Sequence, residues 1–369
     1  MTSPVSVFPH ASALIEKGIQ DGLHLGAQLY VSLEGQVVGD EAFGEERPDH
    51  PMNPAIILLW MSAVKPITAV AVMQLVEQGR LDLDTPVAEI IPAFTEGGKE
   101  GIVVRHVLTH TGGLRTADTE WRDETWDAAL QRVCAAPIEP DWIPGRKAGY
   151  HIDGAWHALG EIIQRVTDES FTDYVRNHVL QPAGMTRAWI GLPDDVLDGS
   201  ESKIGRMFVL RQGELVPHPF ANSREALQHV RPAGNGRGPI RELGRFYEDL
   251  LAGWLHGESK LLSQETIRLM TGRQREGLVD HTFQHKMDWG LGFMPDNNRY
   301  GADTVPYGYG KHCSPSAFGH GGAQSSVGMA DPEYGLVIAL AFNGMPGEPR
   351  HQKRIRHIMS ALYEDLGLA

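Results

Sequence analysis

An α+β fold is predicted, with one antiparallel sheet built from both ends of the chain, flanked by helices, and a mostly helical domain inserted between them. Three observations predict it. Strands joined by tight turns stand near both termini, helical spacing dominates from about 105 to 255, and 42 glycines in 369 residues call for many tight turns. The expected division is residues 1–90 and 256–369 for the sheet domain and 91–255 for the helical one, with a ligand cleft between them.

Taken in order, residues 11–22 have the apolar spacing of an amphipathic helix. Ala27 to Leu33 alternates as a strand, and Glu34-Gly35 turns it into a second one at Gln36–Gly39. The apolar run Ile56 to Met61 leads into a helix at Pro66–Gln78, stopped by Gly79. Ala155 to Val166 is helical by spacing. Ser326–Ala330, a turn at Asp331-Pro332, and Leu336–Phe342 form another hairpin, and Gln352–Leu366 closes the chain as a helix.

Composition bounds the function. Apolar residues at 41% and charged residues at 22% are those of an ordinary globular protein. A net charge of −14 disfavours nucleic acid or an anionic membrane as partner. The first ten residues lack the basic and apolar regions of a signal peptide, and the longest apolar run is too short to span a bilayer. The expected location is therefore cytoplasmic. Cys134 and Cys313 form no C-x-x-C pair and leave one disulfide open. There is no H-E-x-x-H, no G-x-G-x-x-G and no G-x-S-x-G, so neither a metal, nor a nucleotide cofactor, nor an α/β-hydrolase nucleophile is expected.

The segment with chemistry in it is Ser62-Ala63-Val64-Lys65. Residues three apart share one side of a helix, so the hydroxyl and the amine meet. Apolar flanks would bury the amine and lower its pKa until it can take the serine proton. A plain helix start with a capping serine gives the same letters. Ser200-Glu201-Ser202-Lys203 repeats the spacing within a polar stretch and is read as a solvated loop. A second proton-handling group is available in Tyr150, whose anion a neighbouring ammonium would stabilise, or which is simply a packed tyrosine. His320-Gly321-Gly322-Ala323, placed just before a strand, could bring the Ala323 N–H to Ser62 as an oxyanion donor beside the Ser62 N–H.

These segments together resemble the serine β-lactamase and penicillin-binding-protein superfamily, in the branch of class C β-lactamases, D-aminopeptidases and family VIII carboxylesterases. The resemblance runs through Ser62-Ala-Val-Lys65-Pro66, Gly79 to Pro86, Val107 to Leu114, Pro144-Gly145, Tyr150, Leu159 to Val166, Gln181 to Met185, Pro232 to Gly236, Trp289 to Gly292 and Gly319 to Gly322. It implies a β-lactamase/transpeptidase-like fold, Ser62 as acylated nucleophile, Lys65 as its partner or base, Tyr150 as the tyrosine of the Tyr-x-Asn element, and His320-Gly321-Gly322 in place of Lys-Thr-Gly. Two departures bear on substrate. Ile152 stands where the family's amide-binding Asn is usual, and His320 replaces a carboxylate-binding lysine. Both leave acyl transfer intact and weaken amide recognition. The expected function is a carboxylesterase acting on small or medium acyl esters without a cofactor. A D-aminopeptidase, amidase or β-lactamase, an acyltransferase, and a non-catalytic binding module of the same fold are the alternatives.

Overall fold

The computed structural model describes residues 7–117, 125–200 and 203–369, with Ser200 described in its backbone alone. The main sheet is antiparallel. Its strands are β1 (Gly26–Leu33), β2 (Gln36–Arg47), β3 (His50–Pro51), β4 (Met294–Pro295), β5 (Phe318–Gly322), β6 (Ser326–Asp331) and β7 (Leu336–Phe342), in the spatial order β4-β5-β6-β7-β1-β2-β3. The two chain ends meet where β1 pairs with β7, Leu29 opposite Leu340. The β1–β2 turn is tight because Glu34 and Gly35 both take positive φ, 49° and 73°, which matches the twist of a two-residue hairpin.

Six helices frame the sheet and the site: α1 (Pro9–Gln20), α2 (Lys65–Glu77), α3 (Trp126–Ala135), α4 (Gly154–Thr167), α5 (Ile240–His256) and α6 (Glu348–Asp365). On one face, Ile338, Leu340 and Phe342 of β7 join Leu29 and Val31 of β1 against Phe8, Ile15, Ile355 and Leu362 of the α1–α6 pair. On the other, β7 presents Val337, Ala339 and Ala341, small enough for α5 to lie close. A strand covered on both faces reads as a continuous apolar run, as Leu336–Phe342 does.

Helix α6 starts one turn earlier than its apolar spacing shows, at Glu348-Pro349, because proline is accommodated in a first turn where its missing N–H costs nothing. His320, Gly321 and Gly322 precede the expected strand, here β6, but they are not a mere lead-in to it. They are themselves the end of another strand, β5, paired with Gly328, Val327 and Ser326 of β6. Glycines carry little strand propensity of their own, and the pairing is tertiary. The expected boundary at 255 assigns α5 to the helical domain. Its contacts with β1, β6 and β7 lead us to propose that the sheet domain resumes near residue 239 instead.

Helix α2 is buried at every residue from Lys65 to Leu75 and packs against α4. An apolar helix with no polar face fits only between layers. The segment before it is equally fixed. Leu58-Leu59 pairs with Gly236–Gly238, which pairs in turn with Trp189-Ile190. The Trp60 N–H donates to the Gly236 carbonyl at 2.8 Å and its indole N–H to the Gly238 carbonyl at 3.0 Å. Among the described residues no helix is long and apolar enough to cross a membrane. Cys134 and Cys313 are both free and buried. Of the second serine–lysine spacing, Ser200 ends a short helix from Asp194, and Glu201 and Ser202 lie outside the described residues.

Candidate active site

Ser62 sits in a single 3-10 turn, Met61–Val64, that runs into α2 at Lys65. Side chains three apart eclipse one another in such a turn. The turn is entered through Met61 at φ +49°, a left-handed conformation that an unbranched residue holds only when its surroundings enforce it. The result is a Lys65 Nζ 3.2 Å from Ser62 Oγ. The same nitrogen donates to the carbonyls of Ile152 at 2.8 Å and Ala233 at 2.9 Å.

Three partners around one nitrogen decide what the amine can do. Two are carbonyl oxygens, which accept and must each receive an N–H. A neutral amine has two N–H groups and one lone pair, so the lone pair is left for Ser62. Lys65 is 0% exposed, and burial brings its pKa down to about 7, with Asp153 opposing that fall and Arg231 assisting it. Asp153 and Arg231 are themselves a buried pair, the guanidinium donating to the carboxylate. Near neutral pH a large share of Lys65 is therefore neutral and oriented to accept the serine proton.

Tyr150 is 7% exposed, and its ring lies 5.0 Å from Lys65 Nζ. Its backbone is anchored on both sides. The N–H donates to Asp280 Oδ1 at 3.1 Å and the carbonyl accepts from Thr282 Oγ1 at 3.0 Å. Asp280 is held by Arg275 at 3.0 Å, both buried. The expected tyrosinate does not fit these surroundings. Burial pushes the phenol well above its ordinary value, Ser62 opposes this by hydrogen bonding, and Asp280, Asp153 and Glu348 add to the rise. Tyr150 is a neutral phenol, able to donate its proton to a leaving oxygen, and the base is left to Lys65.

Strand β5 flanks the nucleophile. The Ser326 hydroxyl donates to the Trp60 carbonyl at 2.6 Å and so ties the sheet to the residue two before Ser62. A Cβ on Gly322 would lie 2.1 Å from that carbonyl oxygen and 2.3 Å from Ser326 Oγ. Gly322→Ala is accordingly expected to cost about 1–3 kcal/mol through overpacking and to lower turnover by pushing β5 away from Ser62. Thermal melting beside ester turnover measures both, and an unchanged melt would contradict this close approach. Ala323 lines the cleft beside Ser62, and its N–H finds no acceptor among the described residues.

His320 is buried. Its Nδ1 contacts the Gly321 carbonyl at 2.6 Å, which places a proton there. Burial and the nearby Lys65 bring its pKa down to about 3, so it is neutral and offers a substrate carboxylate no charge. His151, standing beside Tyr150, is also buried, with its pKa down to about 3 from burial and from Arg275, Lys65 and Arg115. Its backbone N–H donates to His110 Nδ1 at 2.9 Å, and the His110 ring lies 4.5 Å from that of Tyr150. These histidines brace the tyrosine from behind.

The cleft holds about 430 Å³ and is mostly apolar. Ser62, Tyr150, Ile152, His320, Gly321 and Ala323 all line it, and Gly322 supports it from the strand. Ile152 is 52% exposed; its side chain faces the cleft while its carbonyl holds Lys65. Of the aromatic residues in this part of the molecule, Trp289 and Tyr307 line the cleft, whereas Trp60, Trp156 and Tyr309 are core. Phe283, Met294, Pro306, Glu348 and Gln352 also line it and carry no motif in the sequence. Among the described residues no group of three or more His, Cys, Asp or Glu is placed to hold a metal ion.

A family model described as Beta-lactamase matches residues 11–363. The esterase/beta-lactamase LipL of Mycobacterium tuberculosis is 25% identical over 348 residues, covering 86% of this chain and 77% of that protein. Esterase EstB of Burkholderia gladioli is 24% identical over 383 residues, covering 93% of each. The crystal structure of a family VIII carboxylesterase superposes with a TM-score of 0.79 at 25% identity, over 97% of both chains.

Proposed function

The chain belongs to the beta-lactamase family, and on that premise we propose that it is a serine hydrolase working as a carboxylesterase on small or medium acyl esters. The observation that carries the reading is the Lys65 nitrogen, with two carbonyls taking its N–H groups and Ser62 Oγ at the third position.

In this mechanism Ser62 Oγ attacks the ester carbonyl carbon while its proton passes to Lys65. The tetrahedral oxyanion is met by the backbone N–H groups of Ser62 and Ala323. As the C–O bond to the alcohol breaks, the Tyr150 hydroxyl gives its proton to the leaving oxygen and is resupplied from Lys65. This leaves the acyl group on Ser62. Water then attacks the acyl carbon, its proton taken by the same pair, and Ser62 leaves with a proton restored. Lys65 and Tyr150 interact, so the pH profile reports the pair rather than either group.

The preference for esters over amides rests on what lines the cleft. Ile152 offers no side-chain donor or acceptor to a substrate amide, and neutral His320 attracts no carboxylate. A substrate amide or carboxylate buried there loses hydrogen bonds that it makes in water. Cytoplasmic placement belongs to the same proposal and is supported by two free cysteines. Comparing kcat/KM for p-nitrophenyl esters, nitrocefin and D-alanyl amides tests the reading. Esters are expected to lead by about tenfold to a hundredfold, the cost of one or two unmet hydrogen bonds. Faster turnover of nitrocefin or D-alanyl amides would assign the chain to the β-lactamase or peptidase side of the family.

A further inference from the structure

Glu348 is the one formally charged side chain among the residues that line the cleft. It is exposed, at the first turn of α6, and held in place from two directions. The Tyr307 hydroxyl lies 2.8 Å and 2.7 Å from its two carboxylate oxygens, and the Gln352 amide donates to it at 3.1 Å. Gln352 Oε1 in turn accepts the Tyr307 N–H at 2.6 Å, closing a ring of contacts. Tyr307 takes a positive φ of 55° and its ring covers Gly321, where a Cβ would lie 2.3 Å from it. Among the described residues no lysine, arginine or histidine forms an ion pair with Glu348. Its negative charge is nonetheless felt at the site, since it adds to the rise that burial gives the phenols of Tyr150 and Tyr307. The aromatic rings of Tyr150, Phe283, Trp289 and Tyr307 line the same cleft.

An unpaired carboxylate at the rim of an aromatic cleft repels anions and attracts organic cations, through charge and through the ring faces. We infer that Glu348 selects for substrates carrying an ammonium group and against those carrying a carboxylate. The inference rests on the reading of Ser62 as the acylated nucleophile and adds the charge of the substrate to it.

Three p-nitrophenyl esters of equal acyl length test this, ending in a trimethylammonium group, in a methyl group or in a carboxylate. In the wild-type enzyme the ratio of kcat/KM for the cationic ester to that for the anionic one should exceed about tenfold in low salt. Glu348→Gln, which keeps a group able to accept from Tyr307, should bring that ratio toward one. A rim charge is screened, so the wild-type ratio should also fall between about 20 mM and about 500 mM NaCl, a readout that does not depend on the variant folding. A wild-type preference for the anionic ester, an equal ratio in both proteins, or a ratio insensitive to salt would each overturn the inference. Turnover of the methyl-terminated ester that requires Ser62, combined with a flat charge ratio, would sink this inference alone. No turnover of any ester would sink the serine-hydrolase reading with it.

Discussion

Replacing Ser62 by alanine is expected to lower ester turnover by at least about 10³-fold, because the acyl-enzyme has no other oxygen on which to form. Little else should change. The hydroxyl is only half-buried, and its partners are Lys65 at 3.2 Å and the Tyr150 hydroxyl. Its loss should move stability by less than about 1 kcal/mol, a shift of a few degrees at most in a protein of this size. Initial rates with a p-nitrophenyl ester, set beside a thermal melt, separate the two effects. Wild-type rates in a well-folded Ser62→Ala protein would remove Ser62 from the mechanism. A large fall in melting temperature would mean that the turn at Met61 depends on the hydroxyl.

The second large effect lies at Lys65. Lys65→Met should abolish turnover to a similar degree, since methionine fills the space and takes no proton. In the wild-type enzyme kcat/KM should rise with pH through about 7, the value to which burial brings Lys65. Below that, each unit of pH should cost about tenfold as the amine becomes an ammonium. Stability carries the same signature. The folded pKa of Lys65 lies below its ordinary value of 10.5, so between about 7 and 10.5 the unfolded chain holds a proton that the folded chain lacks. Stability relative to Lys65→Met should therefore rise with pH across that window and show no slope below it. The full difference is on the order of 4–5 kcal/mol. Denaturant unfolding of both proteins over that range reads it directly. Parallel stability curves would mean that Lys65 stays charged and serves only to hold its three oxygen partners, and an acid limb far from 7 would mean that another group sets the pH profile.

What could be read in the sequence was local. The three-residue spacing of Ser62 and Lys65 needs no tertiary information, and a 3-10 turn satisfies it as well as the expected helix does. The first hairpin was legible because alternation and a Glu-Gly turn fix a strand pair nearly alone, and the last because Asp331-Pro332 breaks the chain between Ser326–Ala330 and an apolar run. Tyr150 and the His320 segment were candidates by residue type alone and gained definite roles only through resemblance, and the chemistry expected of Tyr150 changed in the structure. A tyrosinate requires a dominant nearby cation, but burial acts on both groups at once, lowering the amine and raising the phenol. Burial of that kind depends on Asp280, Trp289 and His110, which come from distant parts of the chain. Much of the cleft wall was invisible for the same reason. Phe283 and Glu348 come from a loop and a helix start with no shared motif, brought together by the fold and by the docking of α6. Tyr309, two residues from Tyr307 in the same Gly-rich loop, is instead buried in the core with its hydroxyl on the Met294 carbonyl at 2.8 Å. Composition gives no means of telling the two tyrosines apart.

The central claim is that Ser62 is an activated nucleophile, and intact-protein mass spectrometry after treatment with a fluorophosphonate tests it most directly. A single adduct on the wild-type protein, absent from Ser62→Ala, is the predicted result. An equal adduct on both proteins, or none on a wild-type protein that hydrolyses esters, would contradict the claim and place the chemistry elsewhere in the cleft.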